Sequence, residues 1–355
     1  MNEKPRKGGI AGRRKPIDTA VQRLVTMGEH SSPDALPLVM RPAVHGIDLI
    51  EWIAANRAYA DALLHLHGAL LFRGFNLRTA DDLERFIGAA SGTPMAYTER
   101  SSPRSAVGRN IYTSTEYPAD RPIFPHNENS YAHIWPLRIF FLCVSPASRG
   151  GGTPLADCRS VLARIPAVIR DSFVERGVLY LRTFTPGLGV SWQTVFQTDD
   201  RARLGDDLAR AGYSAEWLEG GGLGTRRIGP AVLRHPHTGE AVWFNHAAFF
   251  HISTLEPDLQ ADLLEQCGEE RLPTNTRYGD GAPIDASVAG ELRDAYRDRM
   301  RFFQWEPGDL LMVDNMLVAH GREPFHGDRK ILVGMSIPCH LRDGSVRVTT
   351  DEEEP

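Results

Sequence analysis

Residues 124–157 read FPHNENSYAHIWPLRIFFLCVSPASRGGGTPLAD, and this stretch indicates both a β-rich fold and a candidate site. The apolar run 137–143 predicts a buried strand, and the glycines at 150–152 predict a tight turn. His126 and Glu128 lie two residues apart, so in an extended strand their side chains point to the same face. An imidazole and a carboxylate on one face are two of the three ligands that non-haem Fe(II) sites use.

The third ligand of such a site is a second histidine, which has to come from elsewhere in the chain. An isolated H-x-E pair is a weak signal, because it occurs often by chance. The chain has 13 histidines. His235 and His237 lie in a predicted turn, where we expect them to be solvated. His246 and His251 are five residues apart, a spacing that suits neither a strand nor a helix pair on one metal. His320 follows a predicted strand and precedes a Gly-Arg pair, which makes it the best candidate.

Composition excludes several classes of function. The chain has 355 residues, 42% of them hydrophobic, with a net charge of -5, so no basic surface for nucleic acid is expected. Its four cysteines form no C-x-x-C pair, which argues against a disulfide framework or a cysteine zinc site and favours a cytoplasmic protein with reduced thiols. No apolar run approaches the ~20 residues that span a bilayer, so no membrane contact is expected.

The order of elements predicts a mixed α/β protein with a mainly β core, a jelly roll with flanking helices. Helices are predicted where apolar residues recur at helical spacing, strands where short apolar runs lie between turn residues, and a hairpin around a Pro-x-x-Gly turn. The predicted helices are 48–66, 79–90, 160–176, 255–271 and 285–300. The predicted strands are 68–75, 137–143, 302–305, 310–313 and 330–337, with the hairpin at 231–245 and a loop with an edge strand at 96–122.

We predict one folded domain between two charged tails. Residues 1–16 are basic and Gly-rich and predict a disordered tail, and residues 346–355 predict an acidic one. Residues 17–345 form the single domain, since no repeat or second boundary is visible. Within it, residues 177–230 are the least regular part, which makes them a candidate insertion or lid over the substrate.

The chain resembles the TauD/TfdA family of Fe(II)/2-oxoglutarate dioxygenases, which have the double-stranded β-helix fold. Within that family it is most similar to the clavaminate synthase-like branch, and there to the syringomycin-type amino-acid hydroxylases. The matching motifs follow one another along most of the chain, which makes the set more specific than any one of them. They are HGALLFRGF (67–75), HNENSY (126–131), GGGTPLADCR (150–159), WQTVFQTDDR (192–201), HPHTGEAVWFN (235–245), WEPGDLLMVDNMLVAHGREPF (305–325) and GDRKILVGM (327–335).

The resemblance implies roles for particular residues. His126, Glu128 and His320 match the iron ligands of the family, although most members have Asp where this chain has Glu128. Thr153 matches the threonine that hydrogen-bonds 2-oxoglutarate. Arg329 matches the arginine that pairs with its distal carboxylate, a role that suits a planar guanidinium. Arg322 is the alternative for that role, unless it makes a structural hydrogen bond to the turn after His320.

The implied cofactors are Fe(II), 2-oxoglutarate and O2, and the implied reaction is hydroxylation of an unactivated C–H bond. The substrate would be an amino acid or a derivative of one, free or presented on a carrier protein, in specialised metabolite (antibiotic) biosynthesis. Asn127, Tyr131, Trp192 and Asn245 are candidates for substrate contacts, and each of them also has a packing interpretation. Family members are often dimers or tetramers, so a homo-oligomer is possible, although nothing in the sequence marks an interface.

Other functions fit the same residues to different degrees. The site can also give desaturation, cyclisation or epimerisation, because the outcome depends on how the substrate is placed. Halogenation is disfavoured, because it requires a small residue in place of Glu128. A non-catalytic jelly-roll binding protein would have lost one of the five key residues, and all five are present. A zinc hydrolase would leave Thr153 and Arg329 without a role.

Overall fold

The computed structural model describes residues 23–28, 35–97, 99, 104–115 and 117–349. The predicted basic tail 1–16 lies outside these residues. The strands are β1 Val25–Met27, β2 Leu38–Pro42, β3 Ala69–Phe72, β4 Ala106–Gly108, β5 Ile111–Thr113, β6 Ile123–His126, β7 Ile134–Ser145, β8 Arg149–Gly150, β9 Thr153–Asp157, β10 Val178–Phe184, β11 Ser214–Trp217, β12 Leu223–Gly229, β13 Val232–Arg234, β14 Ala241–Trp243, β15 Thr274–Tyr278, β16 Met300–Phe303, β17 Leu310–Asp314, β18 Val318–Arg322, β19 Phe325–His326, β20 Lys330–Arg342 and β21 Ser345–Val348.

The helices flank these strands. They are α1 Leu49–Ala55, α2 Arg57–His67, α3 Ala80–Ser91, α4 Cys158–Arg164, α5 Ala167–Arg176, α6 Trp192–Phe196, α7 Arg201–Arg210, α8 Ala247–Phe250, α9 Pro257–Cys267 and α10 Ala286–Arg299, with single 3-10 turns at Glu219–Gly221, Ile252–Thr254 and Glu269–Arg271. Within the described part of the chain, none of these helices has the length and apolar character that crossing a bilayer requires.

The main sheet has the strand order β1-β2-β3-β17-β7-β20-β5-β4, with β21 paired to β20. Its central strands are apolar on both faces because both faces are covered. Side chains alternate along a strand, so Leu71, Ile139 and Val313 face one core while Leu70, Phe140 and Met312 face another. The second core is closed by helices α1 to α3, through Leu49, Trp52, Leu64, Leu83, Phe86 and Ile87.

A second sheet, β16-β9-β18-β6, packs against the first core. Its strands pair antiparallel, with β18 in the centre between β9 and β6. Leu155, Ala156, Val318 and Ala319 of this sheet are fully buried and belong to the first core. Two sheets that enclose one core in this way form the predicted jelly roll.

The helices begin and end where local chemistry dictates. The start of α3 is a capping box, in which the Thr79 hydroxyl accepts from the Asp82 amide and the Asp82 carboxylate accepts from the Thr79 amide. The single helix predicted over 48–66 is wrong, because the chain breaks at Asn56, whose side chain donates to the Trp52 carbonyl. The helix predicted over 160–176 also divides, since Pro166 disfavours helical geometry in the residue before it.

The segment predicted as an irregular insertion, 177–230, is instead well structured. It contributes β10, β11 and β12 to a third sheet of order β11-β12-β10-β15. Helices α6 and α7 cover one side of this sheet around a separate apolar cluster, which includes Phe184, Trp192 and Leu223. At the other end of the chain, β21 continues to Val348, so ordered structure extends into the predicted acidic tail.

Candidate active site

Two histidines face each other across neighbouring strands. His126 is the last residue of β6, His320 lies within β18, and the two are register partners in the antiparallel pair. Directly opposed residues of such a pair project to the same face of the sheet. Their ring centroids are therefore only 4.8 Å apart.

Glu128 lies beside them, but for a different reason from the one the sequence indicated. β6 ends at His126, so Glu128 belongs to a turn rather than to an extended strand. Asn315, which is fully buried, holds that turn in place. Its Oδ1 accepts from the Glu128 amide at 2.8 Å, and its Nδ2 donates to the Glu128 carbonyl at 2.9 Å and to the Pro136 carbonyl at 2.8 Å.

Two further side chains bind the Glu128 carboxylate, and sequence reasoning missed both. The Tyr97 hydroxyl donates to Oε1 at 2.9 Å, and Arg104 Nη2 donates to Oε2 at 2.7 Å. Both residues are buried, although they come from a segment predicted as loop and edge strand near the site mouth. Nε and Nη1 of Arg104 are buried and have no hydrogen-bond partner among the described residues.

Burial and charge set the protonation state of this cluster. Burial opposes ionisation of Glu128, but Arg104 and the two histidines hold its pKa below the usual value. Burial lowers the pKa of His126, and Glu128 offsets part of this effect. Burial and the neighbouring His126 lower the pKa of His320 to about 3. At neutral pH the cluster therefore presents two neutral imidazoles and one carboxylate, the forms that bind metal ions.

The donor set fits a divalent metal ion. Ligand atoms of His126, Glu128 and His320 all lie within 4.8 Å of one another. His126 Nδ1 is 2.9 Å from the Phe124 carbonyl, so it carries the hydrogen and leaves Nε2 with a free lone pair. Each Glu128 oxygen accepts one hydrogen bond and keeps a second lone pair. Two histidines and one carboxylate are the ligands of a facial triad.

A cavity extends from this cluster towards Arg329, and we refer to it as the Arg329 cavity. It is lined by Arg104, Ser114, Thr115, Ile123, His126, Phe141, Thr153, His320, Gly321, Arg322, Arg329, Ile331 and Val333. Thr153 begins β9, and its hydroxyl accepts from Trp305 Nε1 at 3.0 Å. Gly151 has a φ of +72°, and a Cβ there would lie 3.2 Å from the Arg329 side chain, which explains the glycine.

The two arginines of this cavity are in different states. Arg322 donates to the backbone carbonyls of Tyr117, Pro118 and Arg121, at 2.5 to 3.0 Å, so its guanidinium supports a loop. A structural role for Arg322 agrees with these contacts, but its partners lie in the loop 117–121 and not in the turn after His320. Among the described residues, Arg329 has no carboxylate within 4.0 Å. Burial and the neighbouring Arg322 lower the pKa of Arg329 to about 10, so it remains a cation with capacity for an anion.

A second cavity of about 310 Å³ opens on the other side of His126, and we refer to it as the aromatic chamber. It is lined by Arg104, Thr115, Tyr117, Pro122, Ile123, Phe124, His126, Phe249, Phe250, Ile252, Thr254, Leu255 and Thr274. Phe249 stacks on His126, with ring centroids 4.6 Å apart. Arg104, Thr115, Ile123 and His126 line both cavities, so the two adjoin beside His126.

None of the four residues predicted to contact substrate lines either cavity. Asn127 bonds to Cys158 and to the Asn315 carbonyl. Asn245 bonds to the backbone of Ala231 and Ala247. Trp192 packs inside the third sheet's own cluster and donates to the Gly221 carbonyl. Tyr131 comes nearest, since its ring packs on Phe250 of the aromatic chamber at 4.8 Å.

The other histidines agree with expectation only in part. His235 is buried, not solvated, because its Nε2 donates to Asp314 at 3.0 Å and its Nδ1 accepts two backbone amides. His237 is exposed, as predicted. His246 lies beside the cluster, 5.9 Å from His126 between ring centroids, with Nδ1 2.6 Å from the Ser130 hydroxyl. Burial keeps the pKa of His246 well below its usual value.

Comparison with known families gives the class of the protein. The model of the taurine catabolism dioxygenase TauD, TfdA family matches residues 34–336, which is most of the chain. The chain therefore belongs to the TauD/TfdA dioxygenase family. At the level of the family, this confirms the predicted jelly roll, enzyme class and Fe(II)/2-oxoglutarate dependence.

Two relatives are similar to this chain over most of its length. The chain is 34% identical over 312 residues to the dapdiamide synthesis protein DdaC of Enterobacter agglomerans, covering 85% of this chain and 95% of the relative. It is 27% identical over 335 residues to a clavaminate synthase-like protein of Arabidopsis thaliana, covering 89% and 98%. The second relative carries the name of the branch predicted from the motifs.

Solved structures agree on the fold. A taurine dioxygenase from Burkholderia xenovorans superposes with a TM-score of 0.54 at 16% identity, over 92% of this chain and 95% of that chain. PvcB, described as an Fe, alpha-ketoglutarate dependent oxygenase from an isonitrile synthetic pathway, superposes with a TM-score of 0.51 at 16% identity, over 91% and 93%. At this level of identity the similarity extends to the fold alone.

Proposed function

We propose that His126, Glu128 and His320 bind Fe(II), and that the protein uses 2-oxoglutarate and O2 to hydroxylate an unactivated C–H bond of an amino acid or a derivative of one. One observation carries this proposal. The three donors converge within 4.8 Å of one another, and both the Arg329 cavity and the aromatic chamber reach His126. A site with separate spaces for two molecules suits a reaction that couples two substrates at one metal.

The Arg329 cavity is assigned to 2-oxoglutarate. When bound, iron would activate O2, and oxidative decarboxylation of 2-oxoglutarate to succinate and CO2 would take up one oxygen atom and leave the other for the C–H bond. Arg329 holds the distal carboxylate, because it is a cation without a carboxylate partner among the described residues. Thr153 adds a hydroxyl donor, which is free for this role because its oxygen already accepts from Trp305.

The aromatic chamber is assigned to the organic substrate. Its aromatic and aliphatic lining excludes water beside the metal and holds a carbon skeleton by contact area. Arg104 adds a buried guanidinium, two of whose nitrogens have no hydrogen-bond partner in the described part of the chain and can receive a carboxylate. The name of one relative, a dapdiamide synthesis protein that is 34% identical to this chain, supports a role in specialised metabolism.

Two finer points belong to the same proposal. The substrate is either free or presented on a carrier protein, and parallel assays with free amino acids and with aminoacyl carrier proteins separate these forms by succinate release. The predicted cytoplasmic location also stays a proposal, supported by four cysteines that are all free thiols.

The first test is addition of Fe(II) and 2-oxoglutarate to metal-free protein without oxygen. We expect a weak visible charge-transfer band, which reports a keto acid chelated to a facial-triad iron. The band should be absent in His126→Ala. Folded protein that binds iron but develops no band would overturn the dioxygenase assignment.

The second test compares the two arginines of the Arg329 cavity. Arg329→Met should weaken 2-oxoglutarate binding about 10- to 100-fold, since a charge-assisted hydrogen-bond pair contributes roughly 1.5–3 kcal/mol. Arg322→Met should mainly lower stability, because it leaves three loop carbonyls without their donor. Calorimetric titration of 2-oxoglutarate into the Mn(II)-loaded protein measures the first effect, and urea unfolding measures the second.

A further inference from the structure

The direction of the Glu128 carboxylate is set by one short segment of chain. Tyr97 donates its hydroxyl to Oε1, and Arg104 donates from its guanidinium to Oε2. We refer to Tyr97, Glu99 and Arg104 as the orienting segment. Because both carboxylate oxygens are held, the carboxylate cannot rotate without breaking a buried hydrogen bond. The position of this segment therefore decides where Glu128 points.

The orienting segment is in turn held by the third sheet. Gln197, which follows α6, donates to the Tyr97 carbonyl at 2.7 Å. Tyr213, which precedes β11, donates its hydroxyl to the Glu99 carboxylate. Glu99 has a φ of +51°, in the left-handed region, and such a residue keeps that conformation only where its surroundings impose it. Tyr213 is one of the contacts that impose it.

A third contact joins the same sheet to the turn that carries Glu128. Arg227 on β12 donates from Nη1 to the Tyr131 carbonyl at 3.1 Å, and Arg227 is buried. Tyr131 follows Glu128 by three residues, and its hydroxyl donates to the Glu99 carbonyl at 2.6 Å. The third sheet therefore holds both the turn that carries Glu128 and the segment that orients its carboxylate.

We propose that residues 178–229 act as a clamp that positions the metal-binding carboxylate, rather than as a lid that opens over the substrate. Gln197, Tyr213 and Arg227 are its positioning residues. The inference rests on the proposed function in one respect, that Glu128 is a metal ligand. It follows by linkage that docking of this segment strengthens metal binding and that bound metal strengthens the docking by the same factor.

The test measures Mn(II) affinity of the full chain by electron paramagnetic resonance of the free ion. Tyr213→Phe removes one hydroxyl, and Arg227→Gln removes the donor to Tyr131. Each should weaken Mn(II) binding about 10-fold, the usual effect of losing a group that orients a ligand. Arg226→Gln is the matched control on the same strand, because Arg226 is exposed and pairs only loosely with Glu270, at 3.3 Å. It should bind Mn(II) like the wild type.

Two further measurements keep the result interpretable. Tyr97→Phe removes a hydrogen bond to Glu128 directly and should weaken Mn(II) binding in the same way. If it does so while folded Tyr213→Phe and Arg227→Gln bind like the wild type, the clamp is overturned. Hydrogen exchange of residues 197–213 should slow when Mn(II) is added to the wild type, and unchanged exchange also overturns the proposal. A wild-type chain that binds no Mn(II) instead overturns the proposed function.

Discussion

Two clusters among the described residues have the same composition, but they differ in how many of their possible ligand atoms are already hydrogen-bonded. His126, Glu128 and His320 form one, and His65, His235 and Asp314 form the other. Each has two histidines and one carboxylate, with ligand atoms within 4.8 Å. Residue type and spacing therefore do not distinguish a metal centre from a structural network.

In the second cluster, most of the atoms that could bind a metal ion are already engaged in hydrogen bonds. Asp314 accepts from His235 through Oδ2 and from the amides of Met316 and Leu317 through Oδ1. His235 Nδ1 accepts two amides of its own turn, so both of its nitrogens are engaged. These bonds fasten the hairpin that contains His235 to the turn between β17 and β18. The cluster satisfies buried polar groups and has a structural role.

The first cluster has lone pairs left over and space beside them. His126 keeps a free Nε2, and His320 Nδ1 has no hydrogen-bond partner among the described residues. The Arg329 cavity and the aromatic chamber both reach His126. The capacity to bind a metal ion therefore depends on ligand atoms that lack a hydrogen-bond partner and face a cavity. The following four predictions test this difference, and their expected effects decrease in order.

The largest effect is expected for His320→Ala. Losing a group that only orients a ligand typically costs about 10- to 100-fold in metal affinity, so losing the ligand should cost more than about 100-fold. Calorimetric titration of Mn(II) into the folded variant measures this. Mn(II) binding near the wild-type affinity would mean that this cluster is not the metal centre.

The same substitution in the other cluster, His235→Ala, should have the opposite result. It leaves Asp314 Oδ2 and two backbone amides without these partners and opens a cavity, so unfolding free energy should fall by about 2–4 kcal/mol. Mn(II) affinity of the folded fraction should be unchanged. Urea unfolding of the metal-free protein gives the first quantity, and the comparison is wrong if metal binding is lost while stability is kept.

Acid should destabilise the metal-free protein through His320. Its pKa is about 3 in the folded state and near 6.5 when unfolded. Between these values the unfolded chain binds a proton that the folded chain does not, so stability falls as pH is lowered from about 6.5 towards 3, by up to about 1.4 kcal/mol per unit. Unfolding free energies measured from pH 7 to pH 5 should show a shallower slope in His320→Ala than in the wild type.

The smallest effect is expected for His65→Gln. His65 Nε2 is buried without a hydrogen-bond partner among the described residues, and the ring stacks on His237 at 5.2 Å. Because its two neighbours in the cluster are already engaged, it should hold no ion. Elemental analysis after dialysis against Zn(II) should give the same metal content per chain in both proteins. A bound equivalent that disappears in the variant would show that the second cluster also binds metal.

The sequence predicted more of the β core than of the helices. Apolar runs predicted central strands such as 137–143, and the chain buries these strands on both faces. The capping residues Thr79 and Asp82 predicted the start of α3 correctly. The two long helices were wrong because hydrophobic periodicity does not register a break at a single residue, here Asn56 and the residue before Pro166. The third sheet was missed because its strands lack an apolar run or a clear apolar alternation, since Thr225 and Arg227 occupy buried positions of β12.

The three donors were predicted from local spacing and from motifs, and the structure brings all three together. The residues that orient Glu128 were not predicted. Tyr97, Arg104 and Asn315 lie 31, 24 and 187 residues from it along the chain. A strand, a cap or an H-x-E pair is set by neighbours a few residues apart, so its signal is present in the linear chain. Hydrogen bonds between distant residues exist only after strand register and loop closure have placed them, so they arise with the tertiary fold.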